Sequence, residues 1–216
     1  MPLLVDKPIG KSSRLALWEI TETSDELLDI LDCQVDPEAL KVNELLKKQR
    51  ISTRILLNSI EKGLSAFLTY TPENKPFLGK SYLGISISHS HTIAGILLCK
   101  TTETGLDIEL IQDRIERIAN RFMHETELKS LDTGHGFAPL LRKEILTVYW
   151  CAKEALYKYY GKRELDFKKQ IRIDSFTAGD SGNLTGHLHT PAHTIDLTMG
   201  FEKIGNYMLV YVKDMA

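Results

Sequence analysis

One helical stripe constrains this chain more than any other feature. Leu141, Ile145, Val148, Tyr149, Ala152, Ala155, Leu156 and Tyr159 recur at helical spacing and stop at Gly161. A long helix with one apolar face must bury that face. Elsewhere the pattern changes to a period of two. LGISISHSHTIAGILLCK (83–100) reads as two strands and a tight turn, GLDIEL (105–110) alternates strictly, and TIDLTMGFEKIGNYMLVYV (194–212) is again strand, turn, strand. Upstream, Asp36-Pro37-Glu38 has the form of a helix start, with Asp as N-cap and Pro at the first helical position. The helical pattern then runs, with room for a break, to Gly63 as its C′ residue. Ile115, Ile118 and Phe122 give a shorter helical stripe, and DTGHGFAP (132–139) reads as a loop. Each half thus reads as a helix followed by a hairpin-like pair. The expected fold class is α+β: two pseudo-symmetric α/β lobes, residues 1–103 and 104–216, each a small, mainly antiparallel sheet packed on a long helix.

Composition narrows the function classes. With 43% hydrophobic and 26% charged residues, the chain is ordinary for a globular protein and unlike a disordered one. No apolar run approaches the ~20 residues that span a bilayer, and no signal peptide is expected at the start. Three cysteines, Cys33, Cys99 and Cys151, are too few and too scattered for a disulfide framework, which fits a reducing cytoplasm. A net charge of −2 does not favour a general grip on nucleic acid. The charge is nevertheless blocked. Residues 19–40 carry eight acids and no base, whereas 41–80 carry eight bases, Lys41, Lys47, Lys48, Arg50, Arg54, Lys62, Lys75 and Lys80, against three acids. Such fields suit a small polyanion beside a divalent cation, although each block alone reads equally well as a solvated helix face.

Four segments could carry chemistry. In GLDIEL, Leu106, Ile108 and Leu110 would face a core while Asp107 and Glu109 project together from the other face. Two carboxylates so spaced can meet one Mg²⁺; a half-exposed strand with two solvated acids explains the same pattern. In WCAKEALYK (150–158), Glu154 and Lys158 share a helix face with Trp150. There a third carboxylate could complete a metal site and a lysine could meet a phosphate, or the two could form an ordinary surface pair. SISHSH (86–91) ends a strand with hydroxyls and imidazoles suited to a phosphate. His187, His189 and His193 lack cysteines at zinc spacing and read as decorating a polar strand and loop. The Gly10-Lys11-Ser12 and Gly79-Lys80-Ser81 triplets lack the upstream glycine of a P-loop, and no G-x-S-x-G elbow is present.

In order, KPFL (75–78), SISHS (86–90), GLDIE (105–109), RFMHETE (121–127), WCAKEALYK (150–158) and LDF (165–167) resemble the 4′-phosphopantetheinyl transferase superfamily. The two-lobed type, which activates peptide, polyketide and fatty-acid synthases, is the most similar. The resemblance covers about residues 40–170 and is weaker at both ends. It implies binding of coenzyme A between the lobes, with Asp107, Glu109 and Glu154 holding Mg²⁺ on the pyrophosphate and Lys158 at the phosphate under attack. It puts Lys153 within reach of phosphate, and His89 with Ser88 at the coenzyme's 3′-phosphate. Lys75 and Arg54 match basic residues of the N-terminal lobe, and Glu127 matches a carboxylate near the metal, a base or a holder of metal-bound water. The implied reaction moves phosphopantetheine to a serine of an apo acyl or peptidyl carrier protein and releases 3′,5′-ADP. A monomer is expected. The sequence departs from the family at Asn74 and His91, where glycine is common, and at Ser86, where asparagine is. The same fold could instead serve a non-catalytic coenzyme A or carrier-binding module, or a metal-dependent phosphohydrolase.

Overall fold

The computed structural model describes residues 2–31, 35, 37–79, 82–132, 142–162 and 164–213. Contacts divide the chain into two compact units, one ending at Glu103 and the other beginning at Thr104.

In the first unit, β1 (Leu3–Ile9) and β2 (Ser13–Glu19) form a hairpin through Gly10, whose φ of 69° suits glycine. Helix α1 (Ser24–Ile30) follows, started by a capping box in which Thr23 and Glu26 satisfy each other's backbone N–H. After a 3₁₀ turn (Pro37–Leu40) comes α2 (Glu44–Ile60), with Asn43 accepting from the Leu46 N–H as its N-cap. The expected helix start therefore lies further along the chain. The 3₁₀ turn interrupts the run, and Asp36 is outside the described residues. Gly63 is left-handed (φ 79°), but it follows the Glu61 cap by two residues and opens a second 3₁₀ turn (Leu64–Phe67). Strands β3 (Leu68–Tyr70) and β4 (Pro76–Leu78) pair with each other. Strands β5 (Gly84–Ser90) and β6 (Ile93–Cys99) are the expected hairpin and complete an antiparallel sheet of order β1-β2-β6-β5. Ala16, Trp18, Ala94, Ile96 and Leu98 of this sheet pack with Ile51, Ile55 and Leu56 of α2.

The second unit begins with β7 (Leu106–Leu110) and continues through α3 (Arg114–Phe122), α4 (Glu125–Asp132), α5 (Arg142–Tyr160) and α6 (Phe167–Gln170). Strands β8 (Ile171–Ile173), β9 (Ser181–His189), β10 (Thr194–Ile204) and β11 (Tyr207–Val212) then build an antiparallel sheet of order β7-β11-β10-β9-β8. Helix α5 is the predicted apolar helix. It ends at Gly161, whose φ is 67°, and lays Val148, Ala152, Ala155 and Leu156 against Met199, Met208 and Val210. From residue 133 onward the expected loop at 132–139 is outside the described residues. Within each described unit the architecture is α+β. Among the described residues no helix is long and apolar enough to cross a membrane.

Candidate functional site

The close approach of β7 to α5 builds the site of the second unit. A Cβ on Gly105 would lie 1.9 Å from the Ala155 carbonyl oxygen, so only glycine lets the start of β7 run this near the helix. Asp107 and Glu109 pair in register with Val210 and Met208 of β11, the residues that pack on α5. The carboxylates thus share the face that meets the helix. Leu106 and Ile108, on the opposite face, are 0% and 2% exposed, and Asp107 is itself only 4% exposed. The expected separation of an apolar from an acidic face holds, and both faces of the strand's first half are covered, unlike a half-exposed strand with two solvated acids.

From α5, Trp150, Glu154 and Lys158 come at successive turns. The Lys158 Nζ donates to Asp107 Oδ1 at 2.8 Å and to the Leu106 carbonyl at 3.0 Å. The Trp150 Nε1 donates to Glu109 Oε1 at 3.3 Å. Burial, then the negative charge of Asp107 and more weakly of Glu109, pushes the Glu154 carboxyl up to about 7, against the pull of Lys158. Beneath them the Cys151 thiol is pushed up by burial and by the same two charges. Glu154 is thus near enough to Asp107 and Glu109 to feel both charges. Among the described residues, no three Asp, Glu, His or Cys side chains stand together as a ready-made metal cluster. The chemistry of the donors fits a hard divalent cation all the same: all are carboxylate oxygens, and their mutual repulsion is what such an ion relieves.

Glu127 and Lys153 are not part of this cluster. Lys153 Nζ sits 2.8 Å from Glu127 Oε2, with side chains 0% and 1% exposed. The ammonium also donates to the carbonyls of Phe167 (2.9 Å) and Ile171 (2.7 Å). Glu127 accepts from the N–H groups of His124 (2.7 Å) and Ile173 (2.8 Å). Burial raises the Glu127 carboxyl and lowers the Lys153 ammonium, while their contact opposes both shifts. The pair fastens α4, α5, α6 and β8 together. His187 and His189 occupy β9, with His187 between Asp174 and Asp196 and His189 beside Thr194.

In the first unit, a cavity of about 550 Å³ is lined by Arg50, Arg54, Tyr70, Asn74 and His89. Arg54 Nη1 donates to the Arg50 carbonyl. Of the residues expected here, Arg54 and His89 face the cavity. Ser88 is buried on the other face of β5, since neighbours on a strand point oppositely. The Lys75 ammonium is 2.6 Å from Glu103. Arg50 was not anticipated. Its signal is the i, i+4 spacing to Arg54, which places both guanidinium groups on one face of α2. Asn74 and His91 adopt positive φ, 67° and 49°, the backbone that glycine would otherwise supply.

Among known families, the 4′-phosphopantetheinyl transferase superfamily matches residues 103–211, just over half of the chain. No curated protein matches the chain.

Proposed function

Because the chain belongs to the 4′-phosphopantetheinyl transferase superfamily, we propose that it transfers phosphopantetheine from coenzyme A to a serine of an apo acyl or peptidyl carrier protein. The observation that carries this reading is the ion pair of Lys158 on α5 with Asp107 on β7, beside Glu154, whose carboxyl feels the charges of Asp107, Lys158 and Glu109. Asp107, Glu109 and Glu154 would hold Mg²⁺, which when bound supplies positive charge to the pyrophosphate. The serine oxygen attacks the phosphorus that carries the pantetheine arm. The bond to 3′,5′-ADP breaks, and the serine proton passes to a base. Lys158 supplies a cation fixed by Asp107 and the Leu106 carbonyl, suited to the charge that grows on the departing phosphate. Both Glu127 oxygens accept N–H donors inside the protein, so Glu127 is assigned to holding the scaffold and not to the proton. Lys153, which has three acceptors of its own, has the same task. In the first unit, Arg50 and Arg54 supply positive charge, and His89 a ring nitrogen, for the coenzyme's anionic end.

The test is a mass gain on a panel of apo-carriers incubated with coenzyme A and Mg²⁺. Asp107→Ala and Glu154→Ala are each expected to lower the rate by at least about 10²-fold. Lys158→Ala should lower kcat by roughly 10²–10³-fold while changing KM for coenzyme A less than about fivefold, because the lysine acts on developing charge. Coenzyme A consumed equally with and without carrier would instead indicate a hydrolase.

A further inference from the structure

We infer that Trp150 is a positioning residue for Glu109, and through it for the divalent cation of the proposed reaction, on which reading this inference rests. Glu109 lies near the end of β7, is less buried than Asp107, and carries one more rotatable bond. Beside it is a cavity of about 280 Å³ lined by Glu109 itself, Gln112, Arg114, Ile115, Ile118 and Trp150. A ligand that must be ordered on binding binds weakly, so a bond that orders the Glu109 carboxylate beforehand strengthens the site. The Trp150 N–H, 3.3 Å from Glu109 Oε1, is one such bond. Indole is a donor only, so it bonds a carboxylate oxygen and does not compete for the cation.

The ring is itself fixed from outside α5. Phe122 at the end of α3 meets it edge-on, with centroids 5.0 Å apart and planes at 75°. Phe167 at the start of α6 leans on it at 5.8 Å. Three helices therefore set one indole, and the indole holds one oxygen of Glu109. Partners of this kind, one bond removed from the metal, typically govern metal affinity by 10–100-fold.

The probe is Mn²⁺ alone, with free ion counted by electron paramagnetic resonance on the full chain. Trp150→Phe keeps the aromatic packing and deletes the N–H; it should weaken Mn²⁺ by roughly 10–100-fold with an unchanged circular dichroism spectrum. Trp150→His, which restores a ring N–H, should recover part of the loss. With Trp18→Phe, Trp150 is the sole tryptophan. Its emission should then be quenched by Mn²⁺ and should lose that response in the Glu109→Gln background. Affinity within twofold of wild type for Trp150→Phe, or emission indifferent to Mn²⁺ at saturation, overturns the inference. Both readouts are independent of carrier modification, so failure of the transfer reading is seen separately, as the absence of any mass gain with the unsubstituted protein.

Discussion

Glu154 shows most clearly what the site costs the protein. Its carboxyl ordinarily ionises near 4.5 and here does so at about 7. Folded pKa exceeds unfolded pKa, so the protonated form stabilises the fold; that contribution is complete below about 4.5 and is lost as pH rises through about 7. Glu154→Gln keeps the neutral form at every pH. Thermal melts should show the variant more stable than wild type at pH 8 and the two nearly equal at pH 4, with Mg²⁺ closing the gap at pH 8 by stabilising wild type alone. A variant less stable at pH 8 would mean that Glu154 is not repelled. Residue chemistry of this kind was partly legible: spacing offered the carboxylates and Lys158 only as candidates beside a solvated surface, and the family resemblance gave them roles, whereas the enclosure of Glu127 and Lys153 could not be read, because spacing along a chain does not report what packs over a side chain. Asn74 and His91 depart from the family in their letters, yet their backbone is one that glycine also adopts. Both hold positive φ, which Asn and His adopt more readily than most residues.

Among the elements, the glycine that opens GLDIE does the most to place the chemistry. Gly105→Ala would press a methyl group into the Ala155 carbonyl oxygen, where neither partner can rotate away, and backbone must move. We expect a loss of at least about 2 kcal/mol in denaturant unfolding, at the upper part of the range for overpacking. Cation binding should fall as well, because Asp107 moves with the strand. A stable variant with normal binding would refute this account. Strands β5, β6, β7, β10 and β11 and helix α5 were legible because each is long enough to show its period. Strands β3, β4 and β8 have three residues each, too few to show alternation. Helix α1 has only seven, although its Thr23-x-x-Glu26 box was there to be read. Alternation in GLDIEL separated the two faces correctly but assigned the core to only one of them. It reports that faces differ, not which face a helix will cover.

At the scale of the whole molecule, each unit keeps its own hydrophobic core, and the conspicuous polar feature inside the second is the Glu127–Lys153 pair. Buried pairs contribute little net stability when intact, yet removing one partner typically costs 3–5 kcal/mol. Lys153→Met alone should lose stability in about that range. Combining it with Glu127→Gln should cost clearly less than the sum of the two single changes in a double-mutant cycle; strict additivity would contradict the coupling. The consequence reaches beyond one measurement. Folded proteins hold only about 5–15 kcal/mol in reserve. A lineage exchanging this pair one residue at a time must pass through an intermediate that forfeits a large part of that reserve. The ion pair therefore behaves as a historical lock. Such a barrier needs only the enclosure of the two charges, whether or not either ever touches a substrate.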